Sequence, residues 1–132
     1  MTFPTLRQVV LDATDVRALA EFYRQLLGFV YRAGDEPPAV RDWLVLEHPS
    51  GAPLIAFQEV PALRRSTWPD NDVPQQLHLD FSVPDRDELE RQHQCALELG
   101  ASVLQDRADD PREPIRVYAD PAGHPFCIFV GA

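Results

Sequence analysis

The sequence predicts an α+β fold assembled from one βαβββ unit written twice. Three observations predict it. Two apolar strands each run into a capped helix, two proline-flanked hairpins can be laid over each other, and one proline-rich stretch separates the two sets.

The first strand is expected near Leu6 to Ala13, within the segment RQVVLDATD. Thr14 or Asp15 then offers an N-cap oxygen to DVRALAEFYRQLLG, because short oxygen-bearing side chains satisfy the first free N–H groups of a helix. Within that run Val16, Leu19, Ala20, Tyr23, Leu26 and Leu27 recur at helical spacing, and Gly28 follows as a stop that tolerates left-handed backbone. FVYRAG reads as a second strand, and WLVLEHPSGAPLIAFQEV as a hairpin turning at Pro49, Ser50 and Gly51.

The second set repeats this order. LHLDFSV is a strand, and Asp85 with Glu88 forms a capping-box pattern at the head of DRDELERQHQCALELG. Gly100 ends that helix, ASVLQD is the next strand, and IRVYADPAGHPFCIFV is a second hairpin. Laying LEHPSGAPLIAF over YADPAGHPFCIF puts Gly51 on Gly123, Pro53 on Pro125 and Ile55 on Cys127, while Gln8 falls on His78. Helix, glycine stop and turn stay in step across both halves, which argues for an internal duplication. The modules are expected over residues 5–60 and 76–131, within a single domain spanning 1–132. A linker over 61–75 carries three prolines and no periodicity.

Composition narrows the function classes. At 132 residues the chain can bury a real core without disulfides or metals as staples. A net charge of -9 argues against nucleic-acid binding, which needs a basic face. No apolar run suits a membrane span, and MTFPTLRQ lacks the basic and apolar regions of a signal peptide. Cys95 and Cys127 make no disulfide framework, which fits a reducing cytoplasm. All twelve basic residues are arginine, so Schiff-base lysine chemistry and the phosphate-loop lysine are excluded.

Strand alternation sorts the polar residues. If Val9, Leu11 and Ala13 face their helix, then Gln8, Val10 and Asp12 face away from it. Likewise Leu79, Phe81 and Val83 pack inward, which leaves His78, Asp80 and Ser82 on the opposite face. A sheet with one wetted face would show the same pattern, so alternation alone does not distinguish a binding surface from a solvated one.

The segments LDATDVRALAEFYRQLLGF, HLDFSVPD with its following helix, and RVYADPAGHPFCIF together resemble the vicinal oxygen chelate superfamily. This is the glyoxalase, bleomycin-resistance and extradiol-dioxygenase group, and the nearest likeness is to small actinobacterial-type glyoxalase-like proteins. The resemblance covers nearly the whole chain apart from the linker. It implies curved mixed sheets around a cup, helices on the convex side, a small-molecule ligand and a homodimer. It also implies a divalent metal held by one ligand at the head of each module's first strand and one on each module's last strand. Those positions carry Gln8 and His78 on the first strands, and Ile55 and Cys127 where carboxylates are expected. A shift of one or two places on the first module's last strand reaches Ala56 or Phe57, and only Gln58 nearby is polar.

Two neutral donors without a carboxylate partner are a poor set for a hard or borderline cation. Cys127 with His78 would favour zinc yet remain a ligand short, and Asp80 or Asp12 would complete a site only by unusual geometry. The expectation is therefore a binding protein without a metal cofactor. The alternative is a lyase, isomerase or dioxygenase dependent on Zn, Ni, Mn or Fe, and a non-catalytic interaction module is a further alternative.

The cup is expected to be lined by Gln8, His78, Asp80, Phe57, Gln58, Cys127, Phe129 and Trp68. Trp68 is included because it lies in a polar linker, where it would cover the mouth of the cup or sit at a dimer contact. Trp43 and Tyr118 are expected mainly in the core, His48 and His124 as exposed turn residues, and His93 as a half-buried packing residue on the second helix. Cys127 reads as an ordinary buried thiol. Arg116, with Arg64 or Arg65, reads as an exposed ion-pair residue or a partner for an anionic ligand.

Overall fold

The computed structural model describes residues 2–131. The chain forms two compact units, one running through Leu63 and the other beginning at Arg64. In the first, β1 (Val9–Ala13) leads into α1 (Val16–Leu27), followed by β2 (Val30–Tyr31), β3 (Trp43–Glu47) and β4 (Leu54–Glu59). In the second, β5 (Leu79–Val83) leads into α2 (Arg86–Glu98), then β6 (Ser102–Arg107), β7 (Ile115–Ala119) and β8 (Pro125–Val130). The fold is thus α+β, two tandem βαβββ modules. Each sheet has four strands, ordered β1-β4-β3-β2 and β5-β8-β7-β6. The first and last strands of each module pair in parallel, and the other pairings are antiparallel.

Local chemistry sets the helix ends. The Asp15 carboxylate accepts from the Ala18 N–H at 3.0 Å, and Asp85 accepts from the Glu88 N–H at 2.8 Å. Each aspartate satisfies one of the first-turn N–H groups that have no partner within the helix. Gly28 ends α1 in left-handed backbone at φ 69°. The second helix closes one residue earlier than its glycine, at Leu99, and Gly100 turns the chain at φ 111°.

One face of each sheet packs on its own helix. In the first unit Leu11, Leu44, Leu46, Ile55 and Phe57 are buried with Leu19, Ala20 and Tyr23 of α1. The Tyr23 and Phe57 rings stack with centroids 6.0 Å apart. In the second unit α2 buries only Leu89 and Ala96, and Tyr118 stacks on Phe126 at 5.2 Å. The thin apolar stripe of α2 is supplemented by polar contacts to β7. His93 Nδ1 lies 2.8 Å from the Tyr118 hydroxyl, and Arg116 lies 3.0 Å from Glu90 and 3.1 Å from Asp106. Arg116 is therefore a buried element of the helix–sheet layer, 8% exposed, where the sequence suggested an exposed cation. The reason is register: Arg116 stands directly opposite Asp106 on β6 and beside Ile128 on the helix-facing side of β8.

Asp35 and the stretch from Arg64, which the sequence suggested as part of a linker over 61–75, are both tied into the fold. Asp35, within the turn-like GDEPP, is buried. Its carboxylate accepts from the Val45 N–H at 3.0 Å and pairs with Arg32 at 3.1 Å, while Arg17 donates to the carbonyls of Asp35 and Ala39, both at 2.7 Å. These bonds tie the β2–β3 connection to α1. The segment from Arg64 belongs with the second unit. Arg65 donates to the Pro121 carbonyl at 2.9 Å, and a side chain at Gly123 would meet Arg65 Cβ at 2.8 Å, so glycine there admits the close approach. No helix among the described residues is long and apolar enough to cross a membrane.

Candidate functional site

The parallel pairing of first and last strands determines which side chains share a face. In the second unit Asp80 is in register with Cys127, and Ser82 with Phe129. His78 precedes β5 by one residue and, two residues before Asp80, projects to the same side. The three donor groups converge: His78, Asp80 and Cys127 offer ligand atoms all within 4.8 Å of one another. His78 Nε2 is 3.2 Å from Asp80 Oδ1, with the two side chains 41% and 57% exposed. Beneath them Cys127 is 7% exposed. Burial, with the hydrogen-bonded and negatively charged Asp80 beside it, pushes the Cys127 thiol up to about 12. At neutral pH the thiol keeps its proton and donates toward the carboxylate. Phe129, half-buried, continues this open face.

The first unit is furnished differently. The residues at the places of His78, Asp80 and Cys127 are Gln8, Val10 and Ala56, since Val10 pairs with Ala56 as Asp80 pairs with Cys127. Laying one hairpin sequence over the other puts Ile55 on Cys127, and the structure shifts this by one. The connection between β3 and β4 runs over 48–53, while that between β7 and β8 runs over 120–124. The extra residue moves β4 one step, so Ile55 faces α1 and Ala56 takes the equivalent place. Phe57 likewise stacks on Tyr23 against the helix, which removes it from the expected ligand-facing set. Gln58 lies on the open face and is exposed. Gln8 is half-buried and lines an open cleft of about 540 Å³ with Leu6, Arg7, Val9 and residues 51–54 of the hairpin.

Trp68, His48 and His124 lie outside the helices and strands. Trp68 is half-buried within the second unit, its backbone N–H donating to the Ser66 hydroxyl at 3.2 Å. His48 is exposed, its Nδ1 2.7 Å from the Ser50 hydroxyl. His124 is half-buried, with its backbone N–H held by the Asp120 carboxylate at 3.0 Å. The sequence placed Asp80 and Cys127 in one expected lining set without making them cross-strand neighbours. Alternation marked Asp80 as facing away from the helix, but only the parallel register brings Cys127 to its side.

The donor set does not fit the divalent ion that the resemblance implies. Both last-strand carboxylates are missing, replaced by Ala56 and the protonated thiol of Cys127, and Gln8 contributes at most a neutral amide oxygen. A hard cation takes oxygen ligands and needs anions to offset its desolvation, and these positions supply one neutral amide oxygen and no carboxylate.

A pair of βαβββ modules, each with a helix-covered face and an open one, defines the glyoxalase, bleomycin-resistance and dioxygenase class of folds. The chain belongs to the family described as the glyoxalase-like domain, whose model matches residues 8–129. Solved structures bear the same fold at low identity. A hypothetical protein, SA1046 from S. aureus, is 17% identical with a TM-score of 0.71, the match covering 99% of this chain and 100% of that one. A glyoxalase/bleomycin resistance protein/dioxygenase family enzyme from Burkholderia phytofirmans PsJN is 18% identical at 0.69, covering 94% and 96%. A point mutant of the fosfomycin resistance protein FosX from Listeria monocytogenes, complexed with Mn(II) and 1S,2S-dihydroxypropylphosphonic acid, is 16% identical at 0.72, covering 99% and 95%. Among curated proteins none matches the sequence.

Proposed function

We propose that the protein holds a small organic molecule against the open face of the second sheet, and does so without a resident metal ion. The observation that carries this reading is the convergence of His78, Asp80 and Cys127 on that face, with Phe129 alongside. A few placed polar groups beside apolar surface are what a small-molecule site requires. Asp80 supplies a fixed negative charge, His78 a ring nitrogen of either hydrogen-bonding sense, and Phe129 a flat apolar surface. Such a site binds by complementarity, and sequestration alone is a sufficient activity. Two free cysteines are consistent with a reducing cytoplasm as the place of action.

A thermal-shift screen against metabolites and antibiotics, with and without divalent ions, tests the reading, because a ligand of the folded state raises the midpoint by mass action. The expected hit stabilises the protein in the presence of a chelator and loses its effect in Asp80→Ala. In His48→Ala, altered in an exposed turn, the effect persists. A hit that needs Mn, Ni, Zn or Fe, or near-stoichiometric metal in the purified protein, would replace this reading with a metal-dependent lyase, isomerase or dioxygenase.

A further inference from the structure

The first unit leaves open a place that the second closes with its own residues. In the second, the chain at Arg65 lies against the turn between β7 and β8. A side chain at Gly123 would meet Arg65 Cβ and Cγ, both at 2.8 Å, and the Arg65 guanidinium donates to the Pro121 carbonyl at 2.9 Å. Gly51 is the counterpart of Gly123 and shares its left-handed backbone, φ 101° against 95°. A side chain there would meet nothing within 4 Å. The open cleft of about 540 Å³ is bounded by this turn, with Leu6, Arg7, Gln8 and Val9 on one side and residues 51–54 on the other. We propose that this cleft is a further binding site, and that it takes a small organic carboxylate with an apolar body. The site lies wholly within the first unit and does not depend on what the second sheet holds.

Charge and surface both select that class of ligand. Arg7 is exposed, and among the described residues no hydrogen bond or ion pair engages its guanidinium. By contrast Arg24, Arg32, Arg91 and Arg107 are each paired with a carboxylate. None of the residues lining the cleft is acidic, although the chain carries a net charge of -9. The repeat does not require this cation, since Gln8 falls on His78 and Arg7 therefore on Leu77. A guanidinium presents parallel N–H donors that match the two oxygens of a carboxylate, and the Gln8 amide lines the same wall. An ammonium group would instead meet a like charge. The rest of the lining is apolar. Leu6 is 88% exposed, so a ligand body laid against it and against Pro53 takes from water apolar surface that the chain leaves uncovered. The volume falls within the range of about 300–1,000 Å³ typical of small-molecule sites. A compact inorganic anion would use the charge and leave the apolar wall wet.

Three probes of one size and different charge test this on the intact protein: phenylpropionate, phenylpropionamide and phenylpropylamine, each followed through the backbone amide resonances. Phenylpropionate should shift the resonances of Arg7, Gln8, Val9, Gly51, Ala52 and Leu54 saturably, the amide should bind there more weakly, and the amine most weakly. Arg7→Ala should weaken phenylpropionate binding by at least about 5-fold, the upper end of what an exposed ion pair contributes, and bring the acid level with its amide. Leu6→Ala should weaken the acid and the amide alike. Both substitutions fall on exposed residues, so the fold is kept. Arg91→Ala, which removes an exposed arginine of α2 outside the cleft, should leave binding unchanged. The proposal is overturned by the absence of saturable shifts at these residues, by an amine that binds as tightly as the acid, or by unchanged affinity in Arg7→Ala. Shifts confined to β5 and β8 would overturn it as well, while favouring the second sheet as the place where such a molecule is held.

Discussion

Cys127 and Tyr118 show how burial sets the chemistry of single side chains. The thiol is pushed up to about 12 by burial and by Asp80, so iodoacetamide should modify half-buried Cys95 in the folded protein while sparing Cys127 until the chain unfolds. Mass spectrometry of the labelled peptides checks this, and Asp80→Asn should speed labelling of Cys127 by removing the adjacent charge. Tyr118 is raised from 10.0 to about 12, chiefly by burial. A phenol whose folded pKa exceeds its unfolded value supplies stability that is full below the unfolded value and lost as pH climbs. Stability should therefore fall between pH 10 and about 12, and Tyr118→Phe should flatten that fall. The substitution should cost about 1 kcal/mol at neutral pH, because His93 Nδ1 loses its partner. Urea denaturation at several pH values measures both effects. His78→Ala belongs at this scale too. Its side chain is 41% exposed, so the midpoint of unfolding should move by less than about 0.5 kcal/mol equivalent, as for other surface changes.

At the scale of elements, α2 and β7 are joined by an arginine as well as by apolar packing. Arg116 pairs with Glu90 and Asp106, yet its Nε and one terminal nitrogen are buried without an aligned hydrogen bond. A buried cation with incomplete partners is weakly stabilising for its size, and apolar replacement of similar volume is often neutral or better. Arg116→Met should stay within about 1 kcal/mol of the parent, whereas Arg116→Ala, which leaves a void between helix and sheet, should cost about 2–3 kcal/mol. Equilibrium unfolding distinguishes the two. Helix boundaries were legible in the sequence because their determinants are local. Asp15, Asp85 and Gly28 act within a turn of their own positions, and each occupies the expected place. Arg116 and Asp35 were not legible. The first is buried by a cross-strand neighbour ten residues away, and the second by bonds from β3 and from arginines at 32 and 41.

For the whole molecule we propose a homodimer, the association that the resemblance implies. Light scattering at micromolar concentration should give twice 14.9 kDa, about 30 kDa, and a monomer mass would remove the proposal. The sequence by itself determined the duplicated βαβββ order, the helix caps, and the sorting of Gln8, His78 and Asp80 away from the helices. Caps act over a few residues and alternation over two, so both can be read along the chain. Only the tertiary structure decided which of the outward residues meet. Asp80 and Cys127 are 47 positions apart in the chain (127 minus 80), and their contact depends on the parallel register of β5 with β8. That register is set by hydrogen bonds between distant strands and by a connection one residue shorter than its counterpart in the first module. The same single residue turns Ile55 toward α1 and leaves Ala56 in the place where the second module carries its thiol.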